Sequence, residues 1–149
     1  MKKLVLVLLG FLISTGAFAE TEGFQLSLIP DIAIHSSSTH IKGVSLNIWG
    51  ENPQTGFALG FVNGSTGSSS GLSIGFIANY AENYKGLQLG MINYAEKLHG
   101  LQLGLVNIAK ASDAGLQIGL VNIMSQTQGW FSGLPNELAP GMVIVNWRF

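Results

Sequence analysis

The sequence predicts an all-β domain, an antiparallel up-and-down meander of about eight strands closing into a small barrel, and three observations carry that expectation. A short unit returns every 14 or 15 residues, as Gly71-Leu72-Ser73-Ile74-Gly75, Gly86-Leu87-Gln88-Leu89-Gly90, Gly100-Leu101-Gln102-Leu103-Gly104 and Gly115-Leu116-Gln117-Ile118-Gly119. Within each copy Leu or Ile falls on every second residue, with Gly, Gln or Ser between, which is the period of a strand and not of a helix. Charged residues make up only 10% of the chain, well below the roughly 25% typical of soluble domains, so much of the surface must be apolar.

Residues 1–19 open the chain with Met1-Lys2-Lys3, an apolar run from Leu4 to Ile13, and Ala17-Phe18-Ala19 before Glu20. These are the three regions of a secretory signal peptide, and the apolar run is roughly half of what a transmembrane helix requires. The expected division is a signal peptide over 1–19 and a single repeat-built β domain over 20–149, exported from a Gram-negative cell. No Cys is present, so disulfides are excluded and no Cys stands at the cleavage point to carry a lipid. Without Lys2 and Lys3, five basic residues face eight acidic ones, and that balance is no footprint for nucleic acid.

Self-similarity at a fixed period decides the architecture before any local detail does. Degenerate copies extend upstream: Gly56-Phe57-Ala58-Leu59-Gly60-Phe61-Val62-Asn63 keeps the frame, Gly43 to Ile48 keeps the alternation, and Gly23 to Leu28 opens the series. Gly141 to Phe149 supplies the last strand. Asn79, Asn93, Asn107 and Asn122 follow the alternating stretches and mark the approach to polar turns such as Ala95-Glu96-Lys97.

One face of the best copies reads Leu87, Leu89, Met91, then Leu101, Leu103, Leu105, then Leu116, Ile118, Leu120. The other is Gly and Gln. A closed barrel in lipid needs that division, apolar outside and small or polar inside, whereas a soluble antiparallel sheet uses the apolar face for a core. An eight-stranded barrel is filled by its own side chains and is no pore. Three outward apolar residues span roughly 15 Å of strand, against a roughly 25 Å apolar band in known barrels, so a barrel here requires a thin bilayer. The alternative is a β-solenoid with one repeat per coil, Leu stacked inward, an Asn ladder from Asn63, Asn93, Asn107 and Asn122 at one corner, and flat Gln/Gly faces offered to a partner.

The closing segment Val143, Val145, Trp147 and Phe149, alternating with Ile144, Asn146 and Arg148, resembles the terminal strand of outer-membrane β-barrels. That resemblance implies outer-membrane location, with outer-membrane lipid and the barrel assembly machinery as partners. The Gly-Leu-Gln-Leu-Gly-Leu-Val-Asn units, the Leu134-Pro135 to Pro140 segment and the Asn146-Trp147-Arg148-Phe149 ending resemble bacterial surface-repeat envelope proteins. This second resemblance implies an envelope location and a repeat architecture, and no activity.

Candidate chemistry is sparse. His35 and His40 flank Ser36-Ser37-Ser38-Thr39, with Asp31 nearby; these are ingredients of acyl transfer, which needs a nucleophile bonded to an oriented base. A polar loop explains them with fewer assumptions, and a lipid-modifying barrel enzyme is the third reading of the chain. The spacing of His35, His40 and His99 matches no metal site. Gly64-Ser65-Thr66-Gly67-Ser68-Ser69-Ser70-Gly71 lacks the ending of a phosphate loop and reads as a flexible loop. The inward Gln/Ser positions either line a ligand cavity or bond one another, and Trp130, Phe131, Trp147 and Phe149 suit an interfacial girdle. No catalytic, metal or cofactor-binding residue is assigned and no cofactor is expected. The function expected is a non-enzymatic outer-membrane barrel with a structural or adhesive role; the alternative is a secreted or surface-attached solenoid interaction module. Intact-mass measurement of the envelope protein should give a chain beginning at Glu20, and a product retaining residues 1–19 would refute the signal peptide.

Overall fold

The structure, a computed structural model, describes residues 20–149; the expected signal peptide lies outside the described residues. Among the described residues six strands form, β1 (Thr21–Ile29), β2 (Ile32–Ala33), β3 (His40–Glu51), β4 (Gln54–Leu103), β5 (Val106–Met124) and β6 (Gly141–Arg148), in the sheet order β2-β1-β3-β4-β5-β6. β1, β3, β4 and β5 pair parallel. Equivalent residues lie over one another, Gly43 on Gly56, Leu46 on Leu59, Asn93 on Asn107, Gly100 on Gly115 and Gln102 on Gln117. The chain is therefore a β-solenoid of about six turns.

This corrects the expected antiparallel barrel. In a meander successive copies run in opposite directions, so like residues fall at alternate ends of neighbouring strands. In parallel coils every copy meets its equal, and amides at identical positions can bond along the stack. The expected count of eight strands changes for the same reason: the copies at 56–63, 71–79 and 86–93 run together within β4, a single 50-residue extended path. Gly64 to Gly71, expected as a flexible loop, is part of that path, with Ser65 and Ser69 buried.

The alternation sends Gln25, Ser45, Ala58, Ser73, Gln88, Gln102 and Gln117 inward and the Leu columns outward. The sidedness is thus the reverse of the solenoid alternative, which placed Leu inside and Gln/Gly faces on the surface. The apolar part of the interior comes from other columns, chiefly Ile41 and Leu98 before the glycines and Ala81, Ala95, Ala109 and Met124 after the asparagines.

Two glycine columns make the stacking possible. Gly43, Gly56, Gly71, Gly86 and Gly100 all have φ between +123° and +155°, a backbone region that L side chains avoid. A Cβ on Gly86 would overlap the carbonyl oxygen of Gly71 in the coil below, and the same overlap repeats along the column. In the second column a Cβ on Gly104 would strike the Gly90 carbonyl and crowd the side chains of Asn93 and Asn107.

Both ends are closed by antiparallel strands. β2 folds back on β1, and β6 lies antiparallel on the last coil, with Asn146 opposite Gln117 and Trp147 opposite Leu116. The 125–140 segment supports β6: the Leu138 amide donates to the Trp147 carbonyl, the Phe149 amide to the Asn136 carbonyl, and Arg148 pairs with Glu137 at 2.6 Å. The segment that resembles a barrel terminus is a cap here. Gly86→Ala should lower unfolding stability by roughly 2–4 kcal/mol through strain plus overlap, whereas Gly23→Ala, which meets nothing closer than 3.9 Å, should change it little. Denaturant unfolding followed by circular dichroism compares the two, and equal midpoints would contradict the stacking.

Candidate functional site: an apolar ridge over an amide-filled interior

The interior is organised by side-chain amides. Asn47 donates to Asn63, Asn63 to Asn79, Asn79 to Asn93, Asn93 to Asn107 and Asn107 to Asn122, each Nδ2 to the next Oδ1 at 2.8 to 3.1 Å. Asn63, Asn79, Asn93 and Asn107 also donate to the carbonyls of Ile74, Leu89, Leu103 and Ile118 at 2.7 to 2.9 Å. Both amide hydrogens are then used in a space closed to water, where a lost partner costs about 1–3 kcal/mol. A second ladder runs from Gln117 to Gln102 to Gln88, each bond 2.8 Å. It ends where β6 reverses direction. The Asn146 amide opposite is committed to the Asn122 and Ala139 carbonyls, and Gln117 Oε1 is left without a partner. Of the two expectations for the inward Gln/Ser residues, mutual hydrogen bonding is the one seen for the glutamines.

The Asp31–His40 segment closes the N-terminal end. Gln25 grips the backbone of His35 from both sides, donating to its carbonyl and accepting from its amide at 2.9 Å. Asn52 holds the carbonyls of Ser36 and Thr39. The His40 ring bonds the Thr55 hydroxyl at 2.8 Å, and Ser36 bonds Ser38 and Thr39. No hydrogen bond joins a histidine ring to a serine hydroxyl here. Asp31 and His35 instead border an open depression of about 260 Å³ at this end. Among the described residues no group of three His, Asp or Glu side chains is disposed to hold a metal ion.

Outside, each coil is cornered. A strand exposes alternate residues, so two consecutive outward residues mark a place where the chain bends around its interior. Such pairs recur at Leu28-Ile29, Ile48-Trp49, Phe76-Ile77, Met91-Ile92 and Leu120-Val121, with Phe61-Val62 and Leu105-Val106 in the same column. They stack into an apolar ridge along the whole solenoid, on which Phe76 is 60% and Leu120 65% exposed. Phe61 and Phe76 pack tilted, 5.7 Å between ring centroids. On one flank lie the half-buried Leu87, Leu89, Leu101 and Leu103; on the other lie Tyr80, Tyr94, Ile108 and Ile123.

Seven passes spaced about 4.8 Å make the ridge about 29 Å long, and the five steps from Leu87 to Ile92 make the apolar surface about 17 Å wide; the Tyr and Ile flank beyond it belongs to the last four coils, with Glu51 and Gly64 at the equivalent positions of earlier ones. The product, on the order of 490 Å², lies in the upper part of the range of about 300–600 Å² for the largest, often functional, apolar patch of a soluble monomer. Trp49 donates through its indole N–H to the Tyr80 hydroxyl, which donates in turn to Glu51, both at 3.0 Å. Gly64 makes room for this chain: a Cβ there would strike the Tyr80 ring. Burial, partly opposed by the Trp49 hydrogen bond and reinforced by Glu51, raises the Tyr80 pKa.

The charges gather elsewhere. Glu82, Glu96, Lys97, Lys110 and Asp113 occupy or adjoin a second corner, next past the Tyr94 flank, where Lys110 bonds Glu96 and Lys97 bonds Asp113, each at 2.8 Å across neighbouring coils, and Lys110 lies over the Tyr94 ring. The hydrogen bond with Lys110 lowers the Glu96 pKa, the one with Lys97 lowers that of Asp113, and Glu96 raises that of Lys110. These pairs are exposed and screened by solvent. The third corner is set by the glycine column, beside Lys42, Lys85 and His99. Buried Tyr84 nearby has its pKa raised by desolvation and stays a neutral donor.

The ridge residues were visible in the sequence only as the outward face of a barrel; that two neighbours in each copy point outward follows from the bend, which alternation does not contain. Asn107→Asp tests the ladder. An aspartate at this position can accept from Asn93 but cannot donate to Asn122 Oδ1 or the Ile118 carbonyl, so burial and the facing oxygens hold its carboxyl above the unfolded value of about 3.9. A raised folded pKa means that stability is greatest below about pH 4 and falls as pH rises toward the folded pKa. Relative to the parent protein, the variant's denaturant midpoint should therefore be lower at pH 7 than at pH 3.5, and equal deficits at both would refute the buried ladder. No family model, curated protein or solved structure matches this chain.

Proposed function

We propose that this chain is an exported interaction module of the bacterial envelope, a β-solenoid with a structural or adhesive role that works through its apolar ridge and not through catalysis. The observation that carries this reading is the segregation on the surface: an uninterrupted apolar ridge on one corner and the paired charges on another. An apolar patch of this size on a monomer is often a functional surface. The signal-like residues 1–19 and the resemblance to surface-repeat envelope proteins support the envelope as the place where that happens.

The interior favours a scaffold. Its ladders spend their polar groups on one another, and the backbone of the N-terminal loop at His35, Ser36 and Thr39 is held in the cap by Gln25 and Asn52. The protein should co-fractionate with envelope membranes after cell disruption. Replacing Phe76, Met91 and Leu105 together by Ser should release it to the soluble fraction with its circular dichroism spectrum unchanged, because these side chains are 60%, 52% and 46% exposed and support little of the fold. Recovery of the unaltered protein as a soluble species would overturn the proposal.

A further inference from the structure

We infer that the apolar ridge seats in one leaflet of a lipid bilayer, so that the solenoid lies along the membrane surface without crossing it; this rests on the ridge being the interaction surface proposed above. The shape of the ridge is the first argument. It lies on a bend, with consecutive residues diverging outward in each coil, and is convex. Two convex ridges brought together by a two-fold axis touch along a line, and such a contact falls short of the roughly 800 Å² per partner of a stable protein interface. A fluid acyl layer closes around a convex body.

The second argument is the state of the backbone. Unpaired N–H and C=O groups bar a sheet edge from hydrocarbon. Along the ridge the ladder bonds run from coil to coil, as from the Leu105 amide to the Met91 carbonyl and the Val121 amide to the Leu105 carbonyl, both 2.9 Å. The side-chain amides beneath satisfy turn carbonyls, Asn93 that of Gly90 and Asn122 that of Gly119. Both end coils carry antiparallel caps, whose register skips Leu28 at one end and Leu120-Val121 at the other. Between the two ends the ridge backbone is paired from coil to coil and can enter an apolar phase.

The third argument is the distribution of polarity across the flanks. No charged side chain occupies the ridge positions Ile48, Phe61, Phe76, Met91, Leu105 and Leu120. On one flank the hydroxyl of Tyr80, tied to Trp49 and Glu51, marks a change from apolar to polar of the kind that amphipathic aromatics make at headgroup depth. On the other, Lys85 stands six residues from Met91, about 20 Å along the extended chain, far enough to reach water while the ridge is immersed. Because the inserted surface is uncharged, zwitterionic lipid suffices.

The test is flotation of the exported protein, purified in mild detergent and diluted below the detergent's micellar threshold, with phosphatidylcholine vesicles at low and high salt. Brominated acyl chains should quench Trp49, read by comparison with a Trp49→Phe variant. The protein is expected to float at both salt concentrations, and the Phe76→Ser, Met91→Ser, Leu105→Ser variant at least tenfold less. A Lys110→Ser control on the charged corner should float as the parent does. Circular dichroism must show both variants folded; if the triple variant is not, Met91→Ser alone, expected to float less than the parent, replaces it. Flotation that needs anionic lipid and disappears in salt would overturn ridge insertion. Absence of flotation with a dimer in vesicle-free sedimentation, lost in the ridge variant, would overturn the lipid reading and leave the ridge as a protein interface. A monomer that does not float would overturn both.

Discussion

The requirement that each coil place a buried amide directly over the next governs this molecule. From Asn47 to Asn122 five side-chain bonds, all pointing the same way, join six coils, and each amide that spends its second hydrogen on a strand carbonyl ties the corner to the ladder. Aligned amides in a low-dielectric interior polarise one another, and a coil out of register leaves donors and acceptors buried and unpaired. The glycine columns follow from the same constraint: coils can approach closely enough for the ladders only if no Cβ stands between Gly71 and Gly86 or between Gly90 and Gly104.

Filling the interior with amides has a consequence for the exterior. The inward positions go to Gln88, Gln102, Gln117 and the asparagines, so the Leu-rich positions of the same strands must face out. Specificity comes from hydrogen bonds inside. The apolar surface left outside is concentrated on one ridge and its flanks by the bend of each coil, while the charges collect on another corner and pair across coils. That division leaves the lateral surface sorted into an apolar corner and a charged one.

The ends contribute in a different way. A stack of parallel coils invites another strand at each edge, and here β2 and β6 each lie antiparallel on the terminal coil. Gln25 and Asn52 turn the backbone of the His35–Thr39 segment into part of the N-terminal closure. Capping repeats of this kind are how a repeat array stops growing.

The sequence by itself determined the strand character, the repeat of 14 or 15 residues and the sorting of each copy into a Leu face and a Gln/Gly face, because alternation is a property of extended backbone whatever it pairs with. It also marked the Asn positions, whose identical spacing is what a ladder needs. Only the tertiary structure decided that the copies run parallel. Meander and solenoid present the same local residues, and the choice lies in pairings 14 to 16 residues apart, such as Asn47 with Asn63, that depend on how closely two backbones approach. The bend at Met91-Ile92 and its equivalents was hidden for a related reason: it follows from the coil closing on itself around Asn93, and no two-residue period encodes it. The apolar ridge therefore exists in the sequence as a pattern and becomes a surface only once the coils are stacked.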